Sequence, residues 1–457
     1  MAGLFSYLDL GAGALLATNR GVGVVGHNVA NAATEGFTRQ RVDFSAIPGT
    51  PIAGGVQSLG PTRITDQLLT QKEWNGAGEY GRASDLARAL SSLELGMGTD
   101  THDLVQAIAS LFGGIMELEA APVDTELRNN VVDGAEGVAN MFQTGALAIQ
   151  QSQYDADANI EALSATASGL ASKIASLNRE IDRTNPSPDL LDQRDLAARQ
   201  LTEIVGGRAR VDEDGHMRFV LDGGGVLVDG ERSAEFQTSR DPDLGGHVRL
   251  ELVDGVHVDD VTGNISSGRL GGQLTFRDSV ARDSAERLDN LAYEFATRFN
   301  EVHRNNAALD GSTGHDFFTE PGSIEGAALG MSISASLEAS SDNVAAAAPA
   351  TGPGDTSGLS DLLNLRDQKV LAGGSRSLLD ESIDFLSDLG ARVNRASSDE
   401  ALEQDKLTVL GSLRDSLSGV SVEEEMTRLS ALQHAQEASV RFIATVDSLL
   451  GQLIEQV

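Results

Sequence analysis

The chain contains no cysteine. That absence excludes disulfides, thiol nucleophiles and cysteine-type zinc sites, and it suits a protein that works outside the cytosol without oxidative folding. Aromatic residues are also scarce, at 4% of 457 residues, with a single Trp, Trp74. Large catalytic domains bury more ring surface than this, because each ring contributes roughly 150–250 Å². Helices packed lengthwise through Leu, Ile, Val and Ala need less. Positive charge is in short supply: 34 Lys and Arg stand against 68 Asp and Glu, a formal net charge of −34. Phosphate backbones and anionic lipid are repelled by such a field, so neither nucleic acid nor a membrane surface is expected as a partner. No apolar run is long enough to span a bilayer. The opening "MAGLFSYLDLGAGALLATNRGVG" is apolar but lacks a basic n-region. Any route out of the cell is therefore expected to leave it uncleaved.

Glycine, by contrast, is abundant at 50 residues. Gly21, Gly23 and Gly26 spell G-x-G-x-x-G, and Asp43 follows about twenty residues on, the spacing of a dinucleotide-binding turn. That reading fails on context. The preceding "GALLATNR" is poor in β-branched residues, and the gap from Gly26 to Gly36 is too short for a crossover helix. The same glycines lie within a heptad register formed by Leu4, Leu8, Leu15, Val22, Val25 and Val29. They are read as small residues in one helix that allow close helix–helix approach, at a cost near 1 kcal/mol each relative to Ala.

The opposite end carries a matching pattern. After "SGVSVEEE", where Ser421 and Glu424 have capping-box spacing, Met426, Leu429, Val440, Ile443, Leu450 and Ile454 fall in one heptad series. A helix of about 32 residues would be roughly 48 Å long. These twelve apolar positions at the two ends are the expected assembly interface. A further seam runs through Ala139, Phe142, Ala146, Ile149, Ala156, Ile160, Leu163, Ala167, Leu170, Ile174, Leu177 and Ile181, and the prolines of "NPSP" (Pro186, Pro188) are expected to end it. Residues 206–263 switch to short alternating runs with D-G and G-G turns, the chemistry of hairpins. Helical periodicity resumes with Leu288, Leu291, Phe295, Phe299 and Val302. Residues 308–358 are rich in Gly, Ser, Ala and Pro, and "AAAAPATGPGD" within them reads as a flexible loop.

The expected fold is mainly α: an elongated bundle of long heptad-patterned helices, with paired N- and C-terminal helices and a small inserted β domain. The divisions are a terminal coiled-coil assembly domain (1–45 plus 418–457), a helical bundle (46–205 plus 264–417) and a separable β-rich insert (206–263). No catalytic constellation is visible. Asp192 and Asp195 beside Arg194 read as a salt-bridged, solvated helix face. His303 and His315 lack metal-ligand spacing, and "DGGGVLVDG" lacks the Lys-Ser/Thr of a phosphate loop. Neither enzyme activity, cofactor nor metal is expected.

In "GHNVANAATEGFTRQ", Asn28, Asn31, Thr34, Gly36 and Phe37 make a helix exit: turn-forming amides, a local hydroxyl and a glycine for positive φ. The stretch resembles the N-terminal signature of the bacterial flagellar axial proteins (rod, hook and hook-associated), of the form N-x-x-N-x-x-T-x-G-aromatic. Arg39 and Gln40 are similar to the hook-associated version. "LLDQRD" (190–195), "GRLGGQLTFRD" (268–278) and the closing helix resemble that family's landmarks in the expected order. "LQHAQEAS" departs from it where the family often has tyrosines. This resemblance implies a structural flagellar subunit outside the cell at the junction of hook and filament, exported by the flagellar type III apparatus without a cleaved signal. It implies self-association in a ring, contacts with hook protein and the next hook-associated protein, and an export chaperone on the C-terminal helix. Another axial component, hook protein or flagellin, is the alternative.

Overall fold

The computed structural model describes residues 2–47, 55–97, 103–181, 186–369 and 374–455. The two ends of the chain lie side by side. Helix α1 (Ala2–Ala30) packs along the last helix, α11 (Val422–Glu455). Glycine sets how close they come. A Cβ on Gly11 would sit 2.6 Å from Ile443 Cγ1, and one on Gly21 3.1 Å from Leu432 Cδ2, whereas Gly23 and Gly26 face open space. Of the three motif glycines only Gly21 permits the close approach expected of them, and the motif lies inside a helix, where it cannot form a phosphate-binding turn.

The chain leaving α1 forms a two-stranded antiparallel ribbon, β1 (Gln40–Ile47) with β2 (Gly55–Arg63), pairing Gln40 with Arg63 and Ile47 with Gly55. The ribbon lies against α1, where Arg20 Nη1 donates to Ser58 Oγ at 2.8 Å. This corrects the assignment of 46–63 to the helical bundle. Alternation in "QRVDFSAI" is weak, because one face of β1 meets a helix while the other meets solvent only in part.

Seven helices build the body: α2 (Gln67–Gly96), α3 (Asp103–Ala120), α4 (Thr125–Glu180), α5 (Pro188–Val205), α6 (Gly268–Thr275), α7 (Arg282–Arg304) and α10 (Leu378–Ser418). Starts are marked by side chains. Asp66 accepts from the amides of Leu68 and Leu69, Asp124 from those of Glu126 and Leu127, and Ser377 with Asp380 forms a full capping box. Pro188 does not end α4 but opens α5, at the position where a missing N–H costs nothing. Helix α4 has already stopped at Ile181. Crossings of α2 with α5 and α6 are so tight that Cβ atoms on Gly81 and Gly272 would lie 2.3 Å from Glu203 O and 2.6 Å from Arg82 O.

Strands β3 (Arg208–Val211), β4 (Met217–Val220), β5 (Val226–Asp229) and β6 (Arg232–Ser233) form one meander, and β7 (Glu235–Asp241), β8 (His247–Asp254) and β9 (His257–Asp260) a second. The insert is not an independent unit. Phe219, Val228, Val248 and Leu250 join Ile160, Ala167 and Ile174 of α4 and Leu201 of α5 in one buried cluster. A second cluster is built from the first half of α4 with α3, α7 and the start of α10. Helix α4 passes from one core to the other, and at the crossing the wholly buried Asp157 is bound by Arg277 Nη1 (2.7 Å) and the Val248 amide (3.1 Å). Burial alone would raise that carboxyl, but hydrogen bonds from His247, Arg277 and Val248 hold it below its ordinary value.

Residues 305–356 are not a flexible loop. They contain two short helices, α8 (Ala335–Ala339) and a 3-10 turn, and precede α9 (Ser357–Asn364), yet Phe317, Phe318, Ala328, Val344 and Ala346 are buried in the second cluster. Side chains of α7 replace the missing ladder. Asn300 Oδ1 accepts from the amides of Phe317 (2.9 Å) and Phe318 (2.8 Å), and its Nδ2 donates to Phe318 O. His303 donates from Nδ1 to His315 O (2.7 Å) and accepts at Nε2 from the Ala345 amide (2.8 Å). Burial pushes His303 down to about 4. Even "ATGPGD" is pinned, since Asp355 accepts from the Ala348 amide (2.7 Å) and Thr351 Oγ1 (2.9 Å).

Candidate assembly site at the joined termini

The helix-exit motif works as a latch between the two ends of the chain. Asn28, in the last turn of α1, is buried. Its Oδ1 accepts from the Gln40 amide (3.0 Å), and its Nδ2 donates to Gln40 O (2.8 Å) and to Glu425 Oε2 (3.1 Å). Arg39 closes the circuit, donating from Nε to Glu425 Oε1 at 2.7 Å and from Nη1 to Glu424 Oε2 at 2.9 Å. Burial works against the Arg39 charge, but the two carboxylates outweigh it and hold the guanidinium above its ordinary value. The Arg39 amide also donates to Ser418 O, at the end of α10. Glu425 is 0% exposed, so its buried oxygens depend on these donors for their hydrogen bonds. Because Glu424 is spent on Arg39, the Ser421–Glu424 box forms only its amide half, at 3.4 Å.

The remaining motif residues shape the turn. Asn31 Nδ2 donates to His27 O (3.0 Å), Thr34 Oγ1 donates to Asn31 Oδ1 (3.2 Å), and Phe37 sits edge-on to His27 with centroids 5.4 Å apart. Gly36 has φ 78°, and a Cβ there would lie 3.1 Å from Leu196 Cβ. Gln40 Nε2 donates to Asp189 Oδ1 at 2.8 Å.

Helix α5 is the other half of the latch, and the reading of its acids as a solvated face is wrong. Asp192 is buried and accepts from both the amide (2.9 Å) and Oγ1 (2.6 Å) of Thr38, and from Arg63 Nη1 (2.9 Å). Arg63 also donates to Asp195 Oδ2 (2.8 Å). Arg194 bonds neither acid and donates instead to Asn178 Oδ1 on α4 and Gly215 O in the β insert. Burial raises the Asp192 carboxyl, while Arg63, also opposed by burial, is raised by its two carboxylates. These shifts pull the pair in opposite senses. Two donors from Thr38 and one from Arg63 are the surroundings of an ionised carboxylate, and we assign that state. Thr38, Arg63, Asp189, Asp192 and Glu425 were thus missed from sequence. For the α5 acids the signals were the spacing of Asp189, Asp192 and Asp195 on one helical face and the "LLDQRD" landmark; Thr38, Arg63 and Glu425 had none.

The apolar positions of the two end helices divide. Val25 and Leu450 are buried, and Leu8, Leu15, Val22, Val29, Leu429 and Ile443 are half-buried. Met426, Val440 and Ile454 remain 51%, 50% and 69% exposed. The side chain of Leu4 lies outside the described residues. Phe5, Leu16, Phe442 and Leu449 are exposed as well, Phe442 and Leu449 on the opposite flank of α11 from Met426 and Val440.

The joined termini form a structural clamp with apolar side chains exposed on its flanks, the mark of a structural protein rather than of a catalytic site. Comparison with known proteins narrows this. Residues 90–318, half of the chain, match the family described as "Flagellar hook-associated protein FlgK helical domain", and residues 414–456 match "Flagellar basal body rod FlgEFG protein C-terminal". The chain belongs to the flagellar hook-associated protein family, and is a structural protein of the flagellum. It is 28% identical to flagellar hook-associated protein 1 of Bacillus subtilis (strain 168), covering 99% of this chain and 98% of that one. It is 23% identical to the protein of the same name from Escherichia coli (strain K12), covering 96% and 97%. Among solved structures, the flagellar hook junction protein FlgK from Burkholderia pseudomallei shares the fold, with a TM-score of 0.69 over 78% of this chain and 100% of that one, at 14% identity.

Proposed function

We propose that this chain is the structural subunit that joins hook to filament, and that it does no catalysis. Subunits self-associate in a ring through the outward face of α1 and α11, with hook protein on one side and the next hook-associated protein on the other. The chain reaches the outside of the cell through flagellar type III export without a cleaved signal, and an export chaperone covers α11 beforehand. Residues 1–45 with 418–457 form the assembly domain in this reading. The body is 64–205 with 264–417, sharing a core with the β-rich 206–263, and the β1–β2 ribbon goes with the terminal pair. Motility depends on the filament this junction supports.

One observation carries the reading: α11 is paired with α1, yet Met426, Val440 and Ile454 on one flank and Phe442 and Leu449 on the other stay exposed. Apolar side chains exposed on both flanks of a clamped helix pair call for a partner. The test is electron microscopy of cells lacking this gene. Hooks without filaments are expected, with filaments restored by the wild-type chain but not by Met426→Ser/Val440→Ser. Filaments of normal length in the deletion strain would overturn the proposal.

A further inference from the structure

Between the start of α2 and the β3–β4 hairpin lies a cavity of about 260 Å³ lined by Arg63, Trp74, Gln71, Arg194, Asp195 and Arg210. A second hollow, about 430 Å³, adjoins it over the outer face of the hairpin and is lined by Arg208, Arg210 and Arg218. In a chain with twice as many acids as bases, this concentration of arginine runs against composition. Two of the guanidiniums form no ion pair among the described residues, although Asp195 and Asp212 act on Arg194 from a distance. Arg194 is 2% exposed, and its Nη1 donates only to the neutral Asn178 Oδ1 (3.1 Å) and Gly215 O (2.8 Å). Its Nε is buried with no partner. Arg210 is exposed, makes no hydrogen bond or ion pair among the described residues, and stands opposite Arg218 in the β3–β4 ladder, a like-charge pairing that opposes the strand register. Arg218 has Asp229 at 3.4 Å, and Arg63 is occupied by Asp192 and Asp195. A buried guanidinium whose hydrogen bonds go to neutral carbonyl groups, beside a second, unpaired guanidinium lining the same cavity, leaves positive charge there that an anion would complete.

We infer that this cavity binds an oxyanion, a carboxylate or a sulfate- or phosphate-type group, through Arg194 and Arg210, with Trp74 as its wall. Guanidinium forks match the geometry of such groups, and partial burial strengthens the charge-assisted bonds. Two sources share this chemistry: a free anion, or the Asp or Glu side chain of a second copy. The inference does not depend on the hook–filament reading.

Trp74 is the chain's single Trp, so its emission reports on the cavity. Full-length protein at low concentration is titrated with sodium sulfate, phosphate or acetate, against sodium chloride at matched ionic strength. A saturable emission change specific to one or more of the oxyanions is expected, with affinity weakened about tenfold in Arg210→Gln. Arg218→Gln, outside the Trp74 cavity, should keep affinity within about threefold, and circular dichroism checks that both variants remain folded. If the change develops with protein concentration in chloride alone, tracks self-association and is reversed by sulfate, the acceptor is a neighbour's carboxylate. If it requires added anion, the acceptor is free in solution. Titrations with the oxyanions that superimpose on chloride, together with no concentration-dependent change and identical curves for Arg210→Gln, would overturn the inference.

Discussion

Residues 305–356 and the α1–α11 pair are opposites. The first has almost no regular structure, yet its phenylalanines and alanines are among the most buried in the chain. The second is nearly perfect helix, yet much of its apolar surface meets water. The irregular segment borrows its hydrogen bonds from Asn300 and His303, so its order depends on burial and specific polar partners. The end helices satisfy their own backbone, and their order within one subunit rests on a narrow seam and the Asn28–Arg39–Glu425 latch. Regular secondary structure and tertiary commitment are separate properties, and this molecule places them in different regions.

The comparison breaks most sharply at Asn300. Replacing it with Ala leaves two amides and a carbonyl buried without partners, and we expect about 4 kcal/mol of destabilisation by urea unfolding. A loss below about 1 kcal/mol would mean that the irregular segment is held by packing alone. Next is acid. His303 is held near 4, below its ordinary 6.5, so folding favours the neutral ring. Its stabilisation is complete above pH 6.5 and is lost as pH falls from 6.5 toward 4, on the order of 3 kcal/mol in all. Hydrogen exchange in 305–347 should accelerate across that window while α2 stays protected, and an unchanged profile would remove His303 from the argument.

At the latch the effect should be smaller and local. Glu425→Ala strips the acceptor from Asn28 and Arg39 and should cost about 2 kcal/mol, seen as faster proteolysis of α11 and not as a shift in the main melting transition. Gly36→Val, strained at φ 78° and crowding Leu196, belongs to the same class. Smallest of all is Met426→Ser/Val440→Ser. On exposed positions it should change monomer stability by less than about 0.5 kcal/mol while abolishing self-association in analytical ultracentrifugation. A variant that still associates would place the interface on another face.

Much of this design was legible in the amino acids. The end helices and the α4 seam show because a period near 3.5 sustained over many turns leaves little else to be. The helix exit at Asn31 and Gly36 shows because turn chemistry is local. The latch partners do not, since an acid on a helix reads as solvated until its partner, more than a hundred residues away, is known. Asp192 with Thr38 and Glu425 with Arg39 are of this kind. The ribbon of β1 and β2 was hidden by weak alternation. The packing of 305–356 was hidden because side-chain-to-backbone bonds from Asn300 and His303 have no period at all.

Helix α4 runs 56 residues, about 84 Å, and belongs to both hydrophobic cores. In engineering terms it is a shaft keyed at both ends, and the Asp157–Arg277 pair is the pin at mid-span. A loop between the cores would let one swivel against the other and absorb applied twist. A continuous helix shared by both removes that hinge, so the two cores are tied to turn together.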